Sequence, residues 1–342
     1  MYQSFKHKSG ENRMKHQLAF AGLRHVHIYS LYDRAIKDPA CQITAVCEED
    51  AAARTAARAD VTVNYDSISK MLAEAPCTAV AIGDYYGKRG AIAIEALKQG
   101  KHVISDKPLC TSLEELAEIE SLAKAKGLKV GCMLDIRTAP PIAAARKAIL
   151  SGMIGDVVHI QFGGQHPLMP GSRPGWYFEP GKHGGTINDI GIHAIDAIPW
   201  MTGHKISKIV AARSWRALPA STECFKDAGE FMLELDNGAG VLADVSYQMA
   251  NTQGYTLPTY WRFNFWGTKG MLEFNYRDPH VKVYADGEKS PTILGEIADT
   301  GVDYLASFFA DMEGNPTDLN TDSVIAATRL ALEIQAAGDA RG

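Results

Sequence analysis

The sequence predicts a two-domain α/β protein. A doubly wound parallel sheet is expected up to about residue 137, then an α+β domain with a large, mostly antiparallel open sheet. Three observations predict it. The 342 residues are too many for one ordinary core. Through residue 134 short apolar runs alternate with segments of helical spacing, the pattern of parallel strands joined by crossover helices. Beyond residue 150 apolar runs follow one another across turn signals, with Asp236-Asn237-Gly238 and Asp286-Gly287 as hairpins.

Residues 1–16 are polar and basic without an apolar stretch, so they read as a flexible extension rather than a secretory leader, with Met14 as an alternative start. From residue 17 to 137 the strands are expected at Leu18–Leu23, Ile43–Cys47, Ala79–Ile82, His102–Ile104 and Val130–Leu134. Ile28, Leu31, Tyr32 and Ala35 share one helix face, and helices follow at Ala51–Ala59, Ser67–Ala73 and Gly90–Leu97. Ser112-x-x-Glu115 has the form of a capping box and opens a further helix. The second domain, 138–342, begins with a helix at Ile142–Leu150 and a strand at Val157–Phe162, then a Gly/Pro-rich loop from Gly163 to His183. Strands are expected at Ile206–Trp215, Glu230–Leu235, Gly240–Tyr247, Trp261–Trp266, Met271–Phe274 and Val281–Tyr284, and helices at Val302–Met312 and Asp322–Ala336.

Hydrophobic content of 46%, charged content of 22% and a net charge of −5 are those of a globular protein with no nucleic-acid or membrane partner. The six cysteines are scattered without finger spacing, which predicts buried reduced thiols and a cytoplasmic protein. His25-x-His27 has no third ligand nearby in sequence, so no metal is expected.

In a parallel sheet the ligand sits beyond the strand C-termini. Those positions hold Gly22-Leu23-Arg24-His25, Glu48, Gly83-Asp84-Tyr85 and Asp106-Lys107-Pro108. Glu48 lies where a carboxylate accepts both ribose hydroxyls of NAD and repels the 2′-phosphate of NADP. Of a G-x-G-x-x-G loop only Gly22 remains, and Arg24 and His25 are expected to supply donors to the pyrophosphate instead. Further on, a helix from Thr186 places Asp189, His193 and Asp196 on one face and Ile187, Ile190, Ala194, Ile195 and Ile198 mostly on the other. Thr186-x-x-Asp189 also fits a capping box, and Asp196 reads as solvated or supporting.

Ala96-Leu97-Lys98-Gln99-Gly100-Lys101-His102-Val103 with Asp106-Lys107-Pro108, Gly184 to Asp196, and Gly267-Thr268-Lys269-Gly270 together resemble the signatures of the Gfo/Idh/MocA family, in order and at matching intervals. The resemblance implies a Rossmann NAD-binding domain, a sheet domain that forms a homodimer or homotetramer, and Lys107, Asp189 and His193 as the catalytic set. Asp106 for the usual Glu, Gly83-Asp84-Tyr85-Tyr86 for a T-P-N-like turn, and Arg89 for His are departures. The expected reaction moves a hydride between NAD and a secondary hydroxyl of a sugar, cyclitol or related polyol. His193 is then the base, Asp189 its orienter, and Lys107 the charge beside the alkoxide. Arg137, His166, Trp176 and Tyr177 are expected to line the substrate pocket. Two alternatives share the scaffold: a glycosidase or lyase that oxidises its sugar transiently, and a non-catalytic sugar sensor.

Overall fold

The computed structural model describes residues 16–219, 221–278, 280–295 and 303–341. The extension expected at 1–16 lies outside them except for His16, which already pairs in the first strand, and Val302 of the expected late helix also lies outside.

A five-stranded parallel sheet has the order β2-β1-β3-β4-β5. Its strands are β1 (His16–Ala21), β2 (Cys41–Cys47), β3 (Ala79–Ile82), β4 (His102–Ser105) and β5 (Val130–Cys132). Leu18 to Ala21 and Ala79 to Ile82 are wholly buried, because helices cover both faces of a parallel sheet. The helices are α1 (Ile28–Lys37), α2 (Ala51–Thr55), α3 (Ile68–Glu74), α4 (Tyr86–Lys98) and α5 (Leu113–Lys126). Side chains set several of their starts. Asp50, Ser67 and Ser112 each accept a backbone N–H three residues on, and Gly127 closes α5 in the left-handed region at φ 65°.

After a short turn at Asp135–Thr138, α6 (Pro140–Leu150) leads into an eight-stranded sheet of order β13-β12-β11-β10-β6-β9-β8-β7. Its members are β6 (Val157–Pro167), β7 (Ile206–Trp215), β8 (Ala228–Leu235), β9 (Gly240–Met249), β10 (Arg262–Gly267), β11 (Gly270–Asn275), β12 (Val281–Ala285) and β13 (Thr292–Leu294). Only β6 and β9 run parallel; every other pair is antiparallel. The strand expected to end at Phe162 continues through Gly163 and Gly164 to Pro167. A Cβ on Gly164 would come within 2.8 Å of Trp261 and 2.9 Å of Ile190, so glycine here permits close approach rather than a loop.

One face of this sheet carries α6 and the segment Ile187–Gly191, with α7 (Ile192–Thr202) packed beside α6, and the other leaves Val210, Met232 and Leu242 exposed. The last helices, α8 (Tyr304–Met312) and α9 (Thr321–Asp339), cross the 137/138 division and return to the first sheet. Gly131 in β5 makes room for Phe308, Lys129 pairs with Asp311 at 2.9 Å, and Thr321 Oγ1 accepts from Val130 N at 3.0 Å. No disulfide joins the cysteines, and among the described residues no helix is long and apolar enough to cross a membrane.

Candidate active site

β4 ends in Asp106-Lys107-Pro108, and the wholly buried Arg89 of α4 braces that turn. Its guanidinium donates to the carbonyls of Asp106, Lys107 and Pro108 at 3.0, 2.5 and 3.1 Å, to Asp106 Oδ2 at 2.9 Å and to the Asp84 carbonyl at 2.8 Å. His25 Nδ1 donates to Asp106 Oδ2 as well, and Tyr86 and Tyr177 hydroxyls lie 3.2 and 3.3 Å from His25 Nε2. Burial holds the His25 imidazole neutral, down to about 3 from its ordinary 6.5. Asp106 lies below the usual carboxylate range: its burial opposes this, and Arg89 and His25 outweigh it.

Braced this way, Lys107 points at Asp189. Its Nζ donates to Asp189 Oδ1 at 2.6 Å and to the Asp189 carbonyl at 3.1 Å. The Tyr247 hydroxyl of β9 donates to the other oxygen, Oδ2, with His183 Nε2 3.6 Å away. Lys107 and His183 outweigh burial and keep Asp189 ionised. The segment bearing Asp189 is not the regular helix expected from Thr186. Ile187–Gly191 winds as a π-helix before α7. Thr186 makes no cap: its hydroxyl donates to the Lys226 carbonyl. Gln335 of α9 takes over, accepting from Ile187 N at 2.9 Å and Asn188 N at 3.2 Å. That approach requires Gly185, where a Cβ would stand 2.1 Å from the Gln335 side chain. No hydrogen bond joins Asp189 to His193. Asp189 therefore holds Lys107 rather than the imidazole.

His193 is 4% exposed, and its Nδ1 has no hydrogen-bond partner. The nearest carboxylate oxygen is Asp135 Oδ1, at 3.9 Å. His166 lies close by, half-buried, its buried Nδ1 likewise unpartnered, among Tyr255, Tyr260 and Trp261. Trp261 packs edge-on to both imidazoles, at 4.8 Å from His193 and 4.9 Å from His166. It does so from φ 52°, a left-handed conformation that is strained for a bulky side chain. Burial and the Lys107 charge press both histidines well below their ordinary range, so both are neutral.

Not every expected residue faces this space. Arg137 is spent on Asp196, donating from Nε to Oδ2 at 2.7 Å and from Nη2 to Oδ1 at 2.5 Å, so Asp196 is a buried ion-pair partner rather than a solvated one. Trp176 and Tyr177 bridge the domains instead of lining a polyol pocket. Trp176 Nε1 donates to the Arg24 carbonyl at 3.3 Å, and the Tyr177 and Tyr86 hydroxyls meet at 3.0 Å.

Gly22 lies at φ 82°, where a Cβ would meet Asp84 at 2.6 Å, and a Cβ on Gly83 would meet Ile28 at 2.4 Å. The turns after β1 and β3 thus touch, and Asp84 is buried between Tyr85 N and Lys88 rather than facing a cofactor. His25 is spent inward and cannot serve a pyrophosphate. Glu48 is wholly buried and accepts from Leu23 N at 2.6 Å and Asp50 N at 2.9 Å, so it shapes the turn instead of presenting an open carboxylate. Three donors remain. The backbone N–H groups of Arg24, Val26 and His27 meet no protein acceptor among the described residues, at the start of α1 beyond the β1 C-terminus. Arg24 and Val26 border a cleft of about 680 Å³ whose walls also include Leu23, Tyr29 and Asp50. Unspent N–H groups at a helix start beside a positive side chain fit a dinucleotide pyrophosphate. The fold also brings Asp106 to His25 and His27, three candidate metal ligands within 4.8 Å; Arg89 already balances the Asp106 charge, and Asp106 Oδ1 keeps no hydrogen-bond partner.

Sequence reasoning passed over Tyr247, His183, Gln335 and Asp135, and saw in Arg89 only a departure. The paired changes at 89 and 106 carry a signal. A longer cation and a shorter carboxylate meet at 2.9 Å.

The chain matches the model of the oxidoreductase family with NAD-binding Rossmann fold over residues 18–133 and that of the GFO/IDH/MocA C-terminal domain over 142–273. It is 27% identical to the levoglucosan dehydrogenase of Pseudarthrobacter phenanthrenivorans over 209 residues, 54% of this chain and 52% of that one. Stretches matching such curated relatives span between about a third and a half of their length. An oxidoreductase structure from Erwinia carotovora atroseptica has a TM-score of 0.83 at 24% identity, covering 95% of this chain and 99% of that one. An oxidoreductase from Agrobacterium radiobacter, solved with NAD+, L-tartaric acid and magnesium, has a TM-score of 0.78 at 18% identity, covering 95% and 97%. At these identities the structural likeness is one of fold.

Proposed function

This chain belongs to the Gfo/Idh/MocA family of oxidoreductases, and from that premise we propose that it interconverts a secondary alcohol and a ketone on a sugar, cyclitol or related polyol, with NAD as hydride carrier. The observation that carries the reading is the Lys107–Asp189 ion pair set near a neutral His193 with no partner of its own. A neutral imidazole can take the hydroxyl proton. The Lys107 ammonium, fixed by Asp189, stabilises the alkoxide that develops. Nicotinamide, when bound, supplies the hydride acceptor or donor. Arg24 and the free N–H groups of Arg24, Val26 and His27 would hold its pyrophosphate. Aromatic walls and two uncharged imidazoles suit a neutral polyol, as a sugar ring offers apolar faces and many hydroxyls. The levoglucosan dehydrogenase among the relatives favours a carbohydrate substrate.

NAD is preferred to NADP. Asp50 and Glu48 put negative charge near the ribose end. Arg54 is spent on the Glu48 and Glu49 carbonyls and Arg58 on Asp33 and Asp60, so neither is free for a 2′-phosphate. We also propose a homodimer or homotetramer through the open face of the large sheet. There Met232 pairs in register with Ala211 and Leu242, and Met232 and Leu242 are exposed. Five buried thiols of six favour a reducing, cytoplasmic setting.

The test mixes purified protein with NAD or NADP and a panel of aldoses, anhydrosugars and cyclitols, and follows the absorbance of reduced nicotinamide. Reduction of NAD by at least one polyol is expected. Binding of NAD without net reduction by any of them would favour the transient-oxidation lyase, and no dinucleotide binding would overturn both.

A further inference from the structure

If His193 takes a proton, something must hold its ring and balance the charge it gains. Asp189 is unavailable, since both its oxygens are bound, one to Lys107 and the other to Tyr247. Asp135, on the turn that leaves β5, faces His193 Nδ1 from 3.9 Å. Its side chain is 53% exposed, and among the described residues no other side chain donates a hydrogen bond to its carboxylate; desolvation by the surrounding groups pushes its pKa up, and His27, Lys107 and its own backbone N–H oppose that. The charged or titratable groups that act most on His193 are Lys107, Asp189, His166 and His27; those acting on Asp135 include His27, Lys107 and Asp106. Lys107 cancels Asp189, and Arg89 cancels Asp106. Asp135 is thus the carboxylate left to meet an imidazolium at position 193. The 3.9 Å gap exceeds a hydrogen bond, but closing it asks only an exposed side chain to turn, and such contacts often tighten when substrate binds.

We propose that Asp135 is the positioning residue of the base. It draws the ring proton of His193 to Nδ1, leaves the Nε2 lone pair for the substrate hydroxyl, and balances the imidazolium that follows. In that step the substrate O–H bond breaks and an Nε2–H bond forms. The carbinol C–H bond would break as the C=O bond forms, oxidised nicotinamide, when bound, would take that hydride, and Asp135 gains or loses no atom. The role of the proton rests on the oxidoreductase reading above; the tautomer does not.

The experiment is ring ¹⁵N NMR of cofactor-free protein near neutral pH, with His193 identified among 11 histidines by the His193→Gln spectrum. Wild type should show Nδ1–H and a bare Nε2. In Asp135→Asn the new amide can donate to Nδ1, so the ring should switch to Nε2–H. In that variant kcat should fall roughly a hundredfold, with KM for the polyol within about threefold and Tm within about two degrees, as expected for an exposed side chain. An Nε2–H tautomer in wild type, or an unchanged tautomer in Asp135→Asn, overturns the proposal even if the enzyme is a polyol oxidoreductase. A tautomer switch in a protein that oxidises no polyol would instead leave Asp135 as the orienter and sink only the oxidoreductase reading.

Discussion

Around Asp106, the side chains of Arg89, His25, Tyr86 and Tyr177 are joined by hydrogen bonds across both domains, and the one Asp106 oxygen without a hydrogen bond, Oδ1, belongs to a carboxylate that Arg89 already pairs. Around His193 the chemistry is as polar and as buried, yet His193 and His166 each keep an Nδ1 without a partner. Burying an unpaired polar group costs about 1–3 kcal/mol, and folds rarely keep such a cost where packing could remove it. The Asp106 carboxylate is held by its ion pair with Arg89, whereas neither imidazole has a hydrogen-bonded partner at Nδ1, so the first cluster reads as architecture and the second as a place for a ligand. Substitution can break that contrast, because the first cluster should report in stability and the second in turnover.

The largest effect expected is on turnover. His193→Ala should lower kcat by roughly two to four orders of magnitude, the usual worth of a general base, with Tm little changed. A variant that keeps its rate within a few-fold would move the base elsewhere, His166 being the next neutral imidazole.

Arg89→Met should do the opposite. It leaves Asp106 charged and buried without its cation, and breaking such a pair costs about 3–5 kcal/mol. Denaturant unfolding measures this directly. A loss below about 1 kcal/mol would mean that Asp106 finds another partner, and the cluster would lose its standing as a brace.

Acid should act on the same cluster. His25 holds its proton more weakly folded, at about 3, than unfolded, at 6.5, so the unfolded chain protonates first. The stability gained by keeping it neutral is complete above about 6.5 and drains away as pH falls toward 3. Asp106, depressed when folded, adds a loss at still lower pH. Tm should fall from pH 6.5 downward, and His25→Gln should flatten the upper part of that fall. An equal slope in the variant would assign the acid sensitivity to other groups.

The two clusters were not equally legible from sequence. Lys107, Asp189 and His193 stand in motifs whose spacing survives any change of scaffold detail, and their elements were legible with them. The winding after Thr186 is not legible locally, because it depends on Gln335, 147 and 148 residues from the N–H groups it accepts from, approaching through Gly185. Periodicity cannot report a cap supplied from so far off. Arg137 is unreadable for a similar reason: nothing near it reveals that Asp196 will take the Nε–Nη2 edge of its guanidinium. Glu48 was placed at the right strand end, but its inward turn toward Leu23 N is a tertiary choice. Strand ends could be read from local pattern; the direction a polar side chain takes there depended on partners far along the chain.

The smallest effect belongs to Arg24, which stands between the two classes. Its guanidinium lies 3.4 Å from Asp50 and over the Tyr85 ring at 5.7 Å, so it is engaged, but on the open cleft and 22% exposed. With His25 turned inward, Arg24 is the charged side chain of this turn left beside the unspent N–H groups. A charged hydrogen bond to phosphate contributes about 1.5–3 kcal/mol, and part of that is offset because Asp50 must release the guanidinium. Arg24→Ala should therefore weaken NAD binding about tenfold in low salt, and less in high salt, where screening already reduces the attraction. Adenosine has no pyrophosphate, so its affinity should stay the same. Calorimetric titration of both ligands at two ionic strengths separates the outcomes. Equal losses for NAD and adenosine would mean that Arg24 shapes the cleft through Asp50. No loss for either would leave the pyrophosphate to the backbone alone.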